Sequence, residues 1–236
     1  MQRYFTDKII DNITYLNEDD SYHLRVVMRA NINDSLEIVN NNKLYLGQVV
    51  TLNDNIKVKI EKEIEEHHEY YHVDIAQALI KDKKMDFVLQ KSTELGVNNI
   101  IPLITTRSVV KITDRSNKKI ERYNKIVKEA SSQSKRLKIP KVLEFMTIDD
   151  LINLDYDIKI LCSVNEASIS LKKVFHNTKI SDRILFVVGP EGGFTDIEEQ
   201  KMIDHGFIRV TLGKNVLRTE TTSLYILSVV SYNFMR

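Results

Sequence analysis

The fold of this chain is indicated most clearly by residues 184–193, which read Ile184-Leu-Phe-Val-Val-Gly-Pro-Glu-Gly-Gly193. Five consecutive apolar residues predict a strand buried on both faces, as in a parallel sheet. Three of the chain's seven glycines follow at once. In open α/β sheets, ligands bind beyond the carboxyl ends of strands, where loops without side chains let backbone groups approach them. The segment therefore predicts a ligand-binding loop, with a tight strand-to-helix turn as the alternative.

This loop differs from the common nucleotide-binding loops. It lacks the Lys-Ser/Thr pair of a phosphate-binding loop, and its glycines do not follow the G-x-G-x-x-G spacing of dinucleotide sites. ATP, GTP and NAD are therefore disfavoured as ligands.

The surrounding sequence alternates apolar runs with helical patterns, which is typical of a mostly parallel sheet. The predicted strands lie at residues 73–79, 100–104, 158–162, 184–188 and 208–212. The predicted helices lie at 82–95, ending at Gly96, at 118–134, at 195–205 behind a capping box, and at 222–235. Residues 73–236 therefore form an α/β domain.

The first 72 residues have a different pattern. Residues 35–39 and 44–50 flank the turn-forming Asn40-Asn-Asn42, and residues 56–60 alternate apolar and charged side chains. They predict a small β-barrel or meander over residues 1–72. The charged stretch 61–72 is the predicted linker, and its histidines, His67, His68 and His72, lack the partners of a metal site, so we expect no metal.

Composition narrows the class of protein. The 236 residues are 42% hydrophobic and 28% charged, as expected of a folded chain of one large or two unequal domains. The single cysteine, Cys162, cannot form an internal disulfide, and no signal peptide or membrane span is evident. We therefore expect a cytoplasmic protein that does not bind a membrane.

A second loop, at residues 212–222, also follows an apolar run and precedes a helix. It reads Leu212-Gly-Lys-Asn-Val-Leu-Arg-Thr-Glu-Thr-Thr222 and places Arg218 beside Glu220. These residues could serve chemistry, or they could cap the helix and complement its dipole. The spacing leaves both readings open.

Positive charge is concentrated between residues 107 and 141. Twelve basic residues stand against three acidic ones, a local net charge of +9 in a chain whose total is +1, which leaves −8 for the rest. Such a segment predicts a polyanionic partner, because clustered lysines and arginines attract phosphate backbones. A solvated helix is the alternative, although it would normally interleave both signs.

Taken together, these motifs resemble the ribosomal RNA small-subunit methyltransferase E family. The likeness spans nearly the whole chain and is carried by residues 85–96, 107–110, 129–136, 189–194 and 212–221, with residues 3–5 and 23–29 extending it to the N-terminal half. It implies a PUA-like barrel, a SPOUT domain with a trefoil knot, a homodimer, and methylation of uridine N3 in 16S ribosomal RNA of the small subunit with S-adenosylmethionine.

The resemblance also implies site residues. The methyl-donor pocket would comprise Leu161, Cys162, Gly189, Pro190, Glu191, Gly192, Gly193, Leu212, Gly213 and Leu217. Uridine N3 must lose a proton before it attacks, so the catalytic candidates are Arg218, Glu220 and Glu191. The RNA-binding candidates are Arg3, Arg25, Arg29, Arg107, Arg122, Lys135 and Arg136.

Two other functions remain open from the residues alone. A noncatalytic RNA-binding or ribosome-assembly protein would need the basic segment but no glycine-lined pocket. An α/β enzyme that uses another nucleotide would need the pocket but a different ligand. Binding of S-adenosylmethionine separates all three.

Overall fold

A computed structural model describes residues 1–66, 71–108, 116–164 and 169–234. The chain divides into two compact units. Unit 1 comprises Met1–His68 with Ser131–Lys138, and unit 2 comprises Glu69–Ala130 with Ile139–Arg236. The sequence boundary at residue 72 stays a prediction, and the grouping of residues 131–138 with the first unit was not anticipated.

Unit 1 is built on a five-stranded sheet in the order β1-β3-β4-β5-β2. β1 runs parallel to β3, and the other pairs are antiparallel. Its strands are β1 (Arg3–Phe5), β2 (Ile13–Tyr15), β3 (Ser35–Asn40), β4 (Lys43–Val49) and β5 (Lys57–Ile64), and helix α1 (Glu18–Tyr22) continues into a π-helical turn (His23–Val27).

Local residue choices explain the hairpin of unit 1. Asn41 and Asn42 both have positive φ, 49° and 61°, as the two-residue turn between β3 and β4 requires. Residues 61–64 were predicted as linker, and this is wrong, because they continue β5. The reason is that Ile64 packs against the buried Val39 and Leu44.

The segment 131–138 begins in the last turn of a long helix and packs within unit 1. Leu137 is buried with Val39 and Leu44. Lys135 has a φ of +60° and pairs with Glu37 at 3.0 Å. Apolar burial and an ion pair therefore both hold the segment to the sheet.

Unit 2 is a seven-stranded sheet, order β10-β12-β9-β11-β6-β7-β8, in which every pair is parallel. The parallel sheet is thus confirmed. The strands are β6 (His72–Ala78), β7 (Asn99–Leu103), β8 (Lys141–Val142), β9 (Ile158–Cys162), β10 (Ile169–Ser170), β11 (Arg183–Val188) and β12 (Ile208–Thr211). The helices are α2 (Asp82–Glu94), α3 (Ser116–Gln133), α4 (Ile148–Ile152), α5 (Leu171–Phe175), α6 (Asp196–Asp204) and α7 (Thr219–Phe234).

The run of apolar residues in β11 fills both faces of the sheet. Ile184, Phe186 and Val188 lie in the core that α2, α3, α5 and α7 cover. Leu185 and Val187 lie in the opposite core, under α4 and α6. The unbroken apolar pattern follows from this two-sided burial.

The helix boundaries follow the predicted capping signals closely. Thr195 and Glu198 form the predicted capping box of α6, and Gly96 and Gly206 follow α2 and α6 with φ of +92° and +86°. Helix α7 begins at Thr219, three residues before the predicted start, because the Arg218 carbonyl already accepts helical hydrogen bonds from the amides of Thr221 and Thr222. The predicted end at residue 235 lies outside the described residues.

Candidate active site

A cavity of about 560 Å³ lies within unit 2, where β9, β11 and β12 end. Three segments of the chain form most of its wall: residues 162–164, 188–194 and 211–219. Nine of the ten expected donor-pocket residues line the cavity: Cys162, Gly189, Pro190, Glu191, Gly192, Gly193, Leu212, Gly213 and Leu217. Leu161 does not, because it is fully buried in the core.

The glycine-rich loop has a conformational reason for its composition. Gly193 has a φ of +66°, and its amide donates to the Pro190 carbonyl at 2.9 Å, which closes a tight turn. At Gly189, an added Cβ would lie 3.1 Å from the ring of Phe194. The tight turn that the sequence offered as one alternative is therefore present, and the same loop lines the cavity, while ligand binding by the loop stays a prediction.

Arg107 is part of this wall. Its Nη1 donates to the carbonyls of Gly192 at 2.8 Å and Phe194 at 2.9 Å. Beside it, the Thr106 amide donates to Oε1 of Glu198, the carboxylate that also caps α6. The segment after β7 therefore fixes the far end of the glycine loop, a role that the basic sequence around Arg107 does not indicate.

A charged cluster joins two of the catalytic candidates. Lys84 Nζ lies 2.9 Å from Glu191 Oε1 and 3.5 Å from Glu220 Oε2. Burial would raise the pKa of Glu191, but the hydrogen bond and charge of Lys84 hold that pKa below its usual value. Sequence reasoning missed Lys84, because nothing in the sequence distinguishes it from its neighbours Lys81 and Lys83.

Arg218 lines the cavity and has an exposed side chain. Its carbonyl is fixed by the first turn of α7, whereas its guanidinium makes no ion pair within 4.0 Å among the described residues. Glu220, two residues later, does not line the cavity, but its carboxylate lies 3.5 Å from the ammonium group of Lys84, which does. The structure thus brings Arg218, Glu191 and Glu220 to one end of the sheet.

A buried carboxylate also lines the cavity. Glu199 is only 4% exposed, accepts a hydrogen bond from Ser163 Oγ at 2.8 Å and pairs with Arg209 at 3.2 Å. Next to Ser163, burial raises the pKa of the Cys162 thiol to about 12. Cys162 is therefore a neutral wall residue at physiological pH rather than a nucleophile.

The RNA-binding candidates have different surroundings in their own units. In unit 1, Arg3 is 3% exposed and binds Glu37, Glu66 and the Lys135 carbonyl, so we leave it out of the RNA surface proposed below. Arg25 pairs with Asp54 at 3.2 Å, whereas Arg29 is exposed.

In unit 2, Arg122 pairs with Asp86 at 2.7 Å. The amide of Arg136, in unit 1, donates to the Ser131 carbonyl. Lys111 and Arg115 of the basic segment lie outside the described residues, as do His67 and His68. Among the residues that are described, no group of three or more His, Cys, Asp or Glu side chains could hold a metal ion.

No helix in the described ranges is long and apolar enough to cross a membrane.

Residues 67–231 match the RNA methyltransferase domain family. The chain is 32% identical to the ribosomal RNA small subunit methyltransferase E of Bacillus subtilis, over 98% of this chain and 96% of that protein.

Two solved structures are similar over nearly their whole length. The ribosomal RNA small subunit methyltransferase E of Neisseria gonorrhoeae, bound to S-adenosylmethionine, is 30% identical with a TM-score of 0.89, over 98% of this chain and 97% of that one. A methyltransferase of Legionella pneumophila, in complex with the same cofactor, is 29% identical with a TM-score of 0.88, over 98% and 96%. This chain therefore belongs to the ribosomal RNA small subunit methyltransferase E family.

Proposed function

We propose that this protein is an S-adenosylmethionine-dependent methyltransferase that methylates N3 of a specific uridine in 16S ribosomal RNA. The observation that carries the proposal is the glycine-walled cavity at the ends of β9, β11 and β12, in a chain that matches cofactor-bound methyltransferases of its family along its whole length. A noncatalytic RNA-binding protein would give no reason for this cavity.

The residues present fit the cofactor. A cavity of about 560 Å³ is within the usual range for small-molecule sites. An added Cβ at Gly193 or Gly213 would meet no atom within 4 Å, so these glycines leave open space along the wall. Backbone groups of residues 189–193 and 211–213 would hold the cofactor, and Val188, Leu212 and Leu217 would enclose it. When bound, S-adenosylmethionine supplies an electrophilic methyl group.

The protein's own residues must prepare the nucleophile. Uridine N3 carries a proton at neutral pH, and negative charge spreads to O2 and O4 as that proton leaves. Arg218, exposed at the cavity and always charged, stabilises that developing charge. Of the two carboxylates, Glu191 is more closely engaged by Lys84, whose Nζ lies 2.9 Å from Glu191 Oε1 and 3.5 Å from Glu220 Oε2. We therefore assign proton acceptance, directly or through water, to Glu220.

The test uses ribosomal RNA from cells that lack this protein, as free RNA and as small subunits, treated with the purified protein and labelled S-adenosylmethionine. A methyl group on N3 blocks the Watson–Crick edge, so we expect incorporation together with one new reverse-transcription stop at a uridine. Incorporation without a stop would refute the N3 assignment, and no incorporation would refute the methyltransferase.

Variants separate the catalytic roles. Arg218→Ala should lower kcat by about 10²- to 10³-fold and change cofactor affinity little, because the interaction forms mainly in the transition state. Glu220→Gln should lower kcat similarly, whereas Glu191→Gln should do so less. Equal losses in the two glutamine variants would contradict the assignment of Glu220.

Four further features belong to the proposal. The five-stranded sheet of unit 1 fits a PUA-like RNA-binding domain, and the insertion of β11 between β9 and β6 fits a SPOUT domain with a trefoil knot. The exposed Lys118, Lys125 and Lys141 are suited to contact the RNA backbone. A cytoplasmic location follows from the substrate, since ribosomal subunits reside there.

We also propose a homodimer. Neighbouring helices α2 and α7 leave aromatic side chains exposed at Phe87 (42%), Tyr225 (41%) and Tyr232 (87%). Exposed aromatic residues of this kind commonly mark protein interfaces. Tyr225→Asp should shift the sedimentation of the purified protein from dimer to monomer, whereas an unchanged dimer would exclude this face.

A further inference from the structure

A buried polar network joins β6 to the start of α7, next to the cavity wall. Gln77, in β6, is fully buried, and so is Ser223 in α7, while Thr219 is 6% exposed. Gln77 Nε2 lies 2.9 Å from Thr219 Oγ1 and 3.2 Å from the Ala78 carbonyl. Ser223 Oγ lies 2.8 Å from Gln77 Oε1, and Thr219 Oγ1 lies 2.6 Å from the Gly189 carbonyl.

The chemistry of the groups fixes the direction of each hydrogen bond. The Ala78 carbonyl can only accept, so the amide nitrogen of Gln77 must face it, and Oε1 must face Ser223. The second amide hydrogen then donates to Thr219 Oγ1. Thr219 has one hydroxyl hydrogen, and the Gly189 carbonyl, another pure acceptor, receives it. One arrangement alone satisfies all of these contacts.

This network connects the glycine loop to the start of α7, the two parts of the cavity wall that the proposed reaction needs. Gly189 opens the glycine loop, and Thr219 stands between Arg218 and Glu220 at the start of α7. β6 pairs directly with β11, the strand that ends at the loop, so Gln77 is anchored in the rigid centre of the sheet. An apolar contact would tolerate sliding of α7, whereas displacement here leaves buried polar groups without partners.

We propose that Gln77 is a positioning residue, which sets the placement of Arg218 and Glu220 relative to the glycine loop through the hydroxyl of Thr219. The inference rests on the proposed function, whose residues it places. It gives Gln77 no contact with substrate. Its effect on the reaction arises because a displacement of about 1 Å in a catalytic group can lower the rate by about 100-fold.

The test compares variants that break the network with one that removes an unrelated buried hydroxyl. Gln77→Met and Thr219→Val each remove hydrogen bonds at nearly constant volume. Thr93→Val is the matched control, because Thr93 is fully buried in α2 and its hydroxyl donates to the Leu89 carbonyl at 2.7 Å. Thr219→Ser retains the hydroxyl. All four are assayed well below their unfolding midpoints.

For the two network variants, we expect kcat to fall by about 10- to 100-fold. Their dissociation constants for S-adenosylmethionine, from calorimetry, should change by less than about threefold, because Gly189–Gly193 remain. The double variant should lose little more than either single one, since the network acts as a unit. Thr219→Ser should recover most of the rate, and Thr93→Val should lower stability without lowering kcat.

A second readout does not depend on activity. The amides of Thr221 and Thr222 donate to the Arg218 carbonyl at 2.9 Å and report the first turn of α7. Their hydrogen exchange in the cofactor-free protein should become at least about tenfold faster in Gln77→Met and Thr219→Val, and not in Thr93→Val. If the wild type transfers no methyl group, the proposed function fails while this measurement still tests the positioning.

Three results would overturn the inference. The first is a kcat in Gln77→Met or Thr219→Val no lower than in Thr93→Val. The second is a loss of cofactor affinity as large as the loss in kcat, which would place the network in ligand binding. The third is unchanged exchange at Thr221 and Thr222.

Discussion

Replacing Gly193 with alanine tests whether the backbone of the glycine loop forms the cofactor site. Gly193 has a φ of +66°, a conformation that L-residues with a Cβ rarely adopt. An added Cβ would meet no atom within 4 Å, so the substitution introduces backbone strain and no clash within the protein. Any loss of binding therefore reports the conformation of the loop or the space that the ligand fills.

The size of the effect follows from this strain. A left-handed conformation costs a residue with a Cβ about 1–2 kcal/mol. If the free loop of the variant relaxes away from it, the binding-competent population falls by a factor of about 5 to 30, and the apparent dissociation constant rises by the same factor. Gly193→Val should raise it further, because valine is β-branched.

Another glycine supplies a matched control for calorimetric titration with S-adenosylmethionine. Gly206 has a φ of +86°, no atom within 4 Å of an added Cβ, and no place in the cavity lining. Gly206→Ala should therefore lower the unfolding midpoint without weakening binding.

The comparison has a clear refuting result. If Gly193→Ala binds S-adenosylmethionine as tightly as the wild type does, the loop conformation is not part of the site. If Gly206→Ala weakens binding equally, the effect is loss of stability rather than loss of the binding conformation.

Three further predictions concern charges. Lys84→Met should raise the pKa of Glu191 above its wild-type value, measured by carboxyl carbon NMR, since burial then acts without the opposing lysine; an unchanged pKa would contradict the ion pair. Lys118→Glu combined with Lys125→Glu should weaken RNA binding and lower the slope of log K against log salt by about 1 for each lost phosphate contact, while an unaltered slope would exclude both side chains. Burial would raise the pKa of Glu37, but the hydrogen bonds and charges of Arg3 and Lys135 outweigh burial and lower that pKa. The stability that Glu37 contributes is therefore present above the unfolded-state pKa and is lost as pH falls through the folded-state pKa. Glu37→Gln should therefore lower the free energy of unfolding by roughly 1–2 kcal/mol at neutral pH and make it fall less as the pH is lowered. An unfolding free energy with the same pH dependence as in the wild type would contradict this.

Much of unit 2 could be predicted from local sequence, because its signals are local. The apolar runs predicted five strands of the parallel sheet, each within a residue or so of its observed bounds. Strands β8 and β10 were missed, since two residues carry no periodicity and pair only because neighbouring strands are already in place.

The sequence by itself determined the glycine loop, the cap of α6 and the end of α2 before Gly96. These features depend on backbone conformation or helical spacing, which a few neighbouring residues specify.

Only the tertiary structure decided which charges meet. Lys84 pairs with Glu191, 107 positions away, and Arg107 binds carbonyls of the glycine loop rather than standing free on a basic surface. Gln77 and Thr219 are 142 positions apart, and because both are polar, sequence patterns predict that both side chains are exposed to solvent. The strand order places β6 beside β11 and brings these groups within hydrogen-bonding distance, because a parallel sheet collects the carboxyl ends of strands that are distant in sequence.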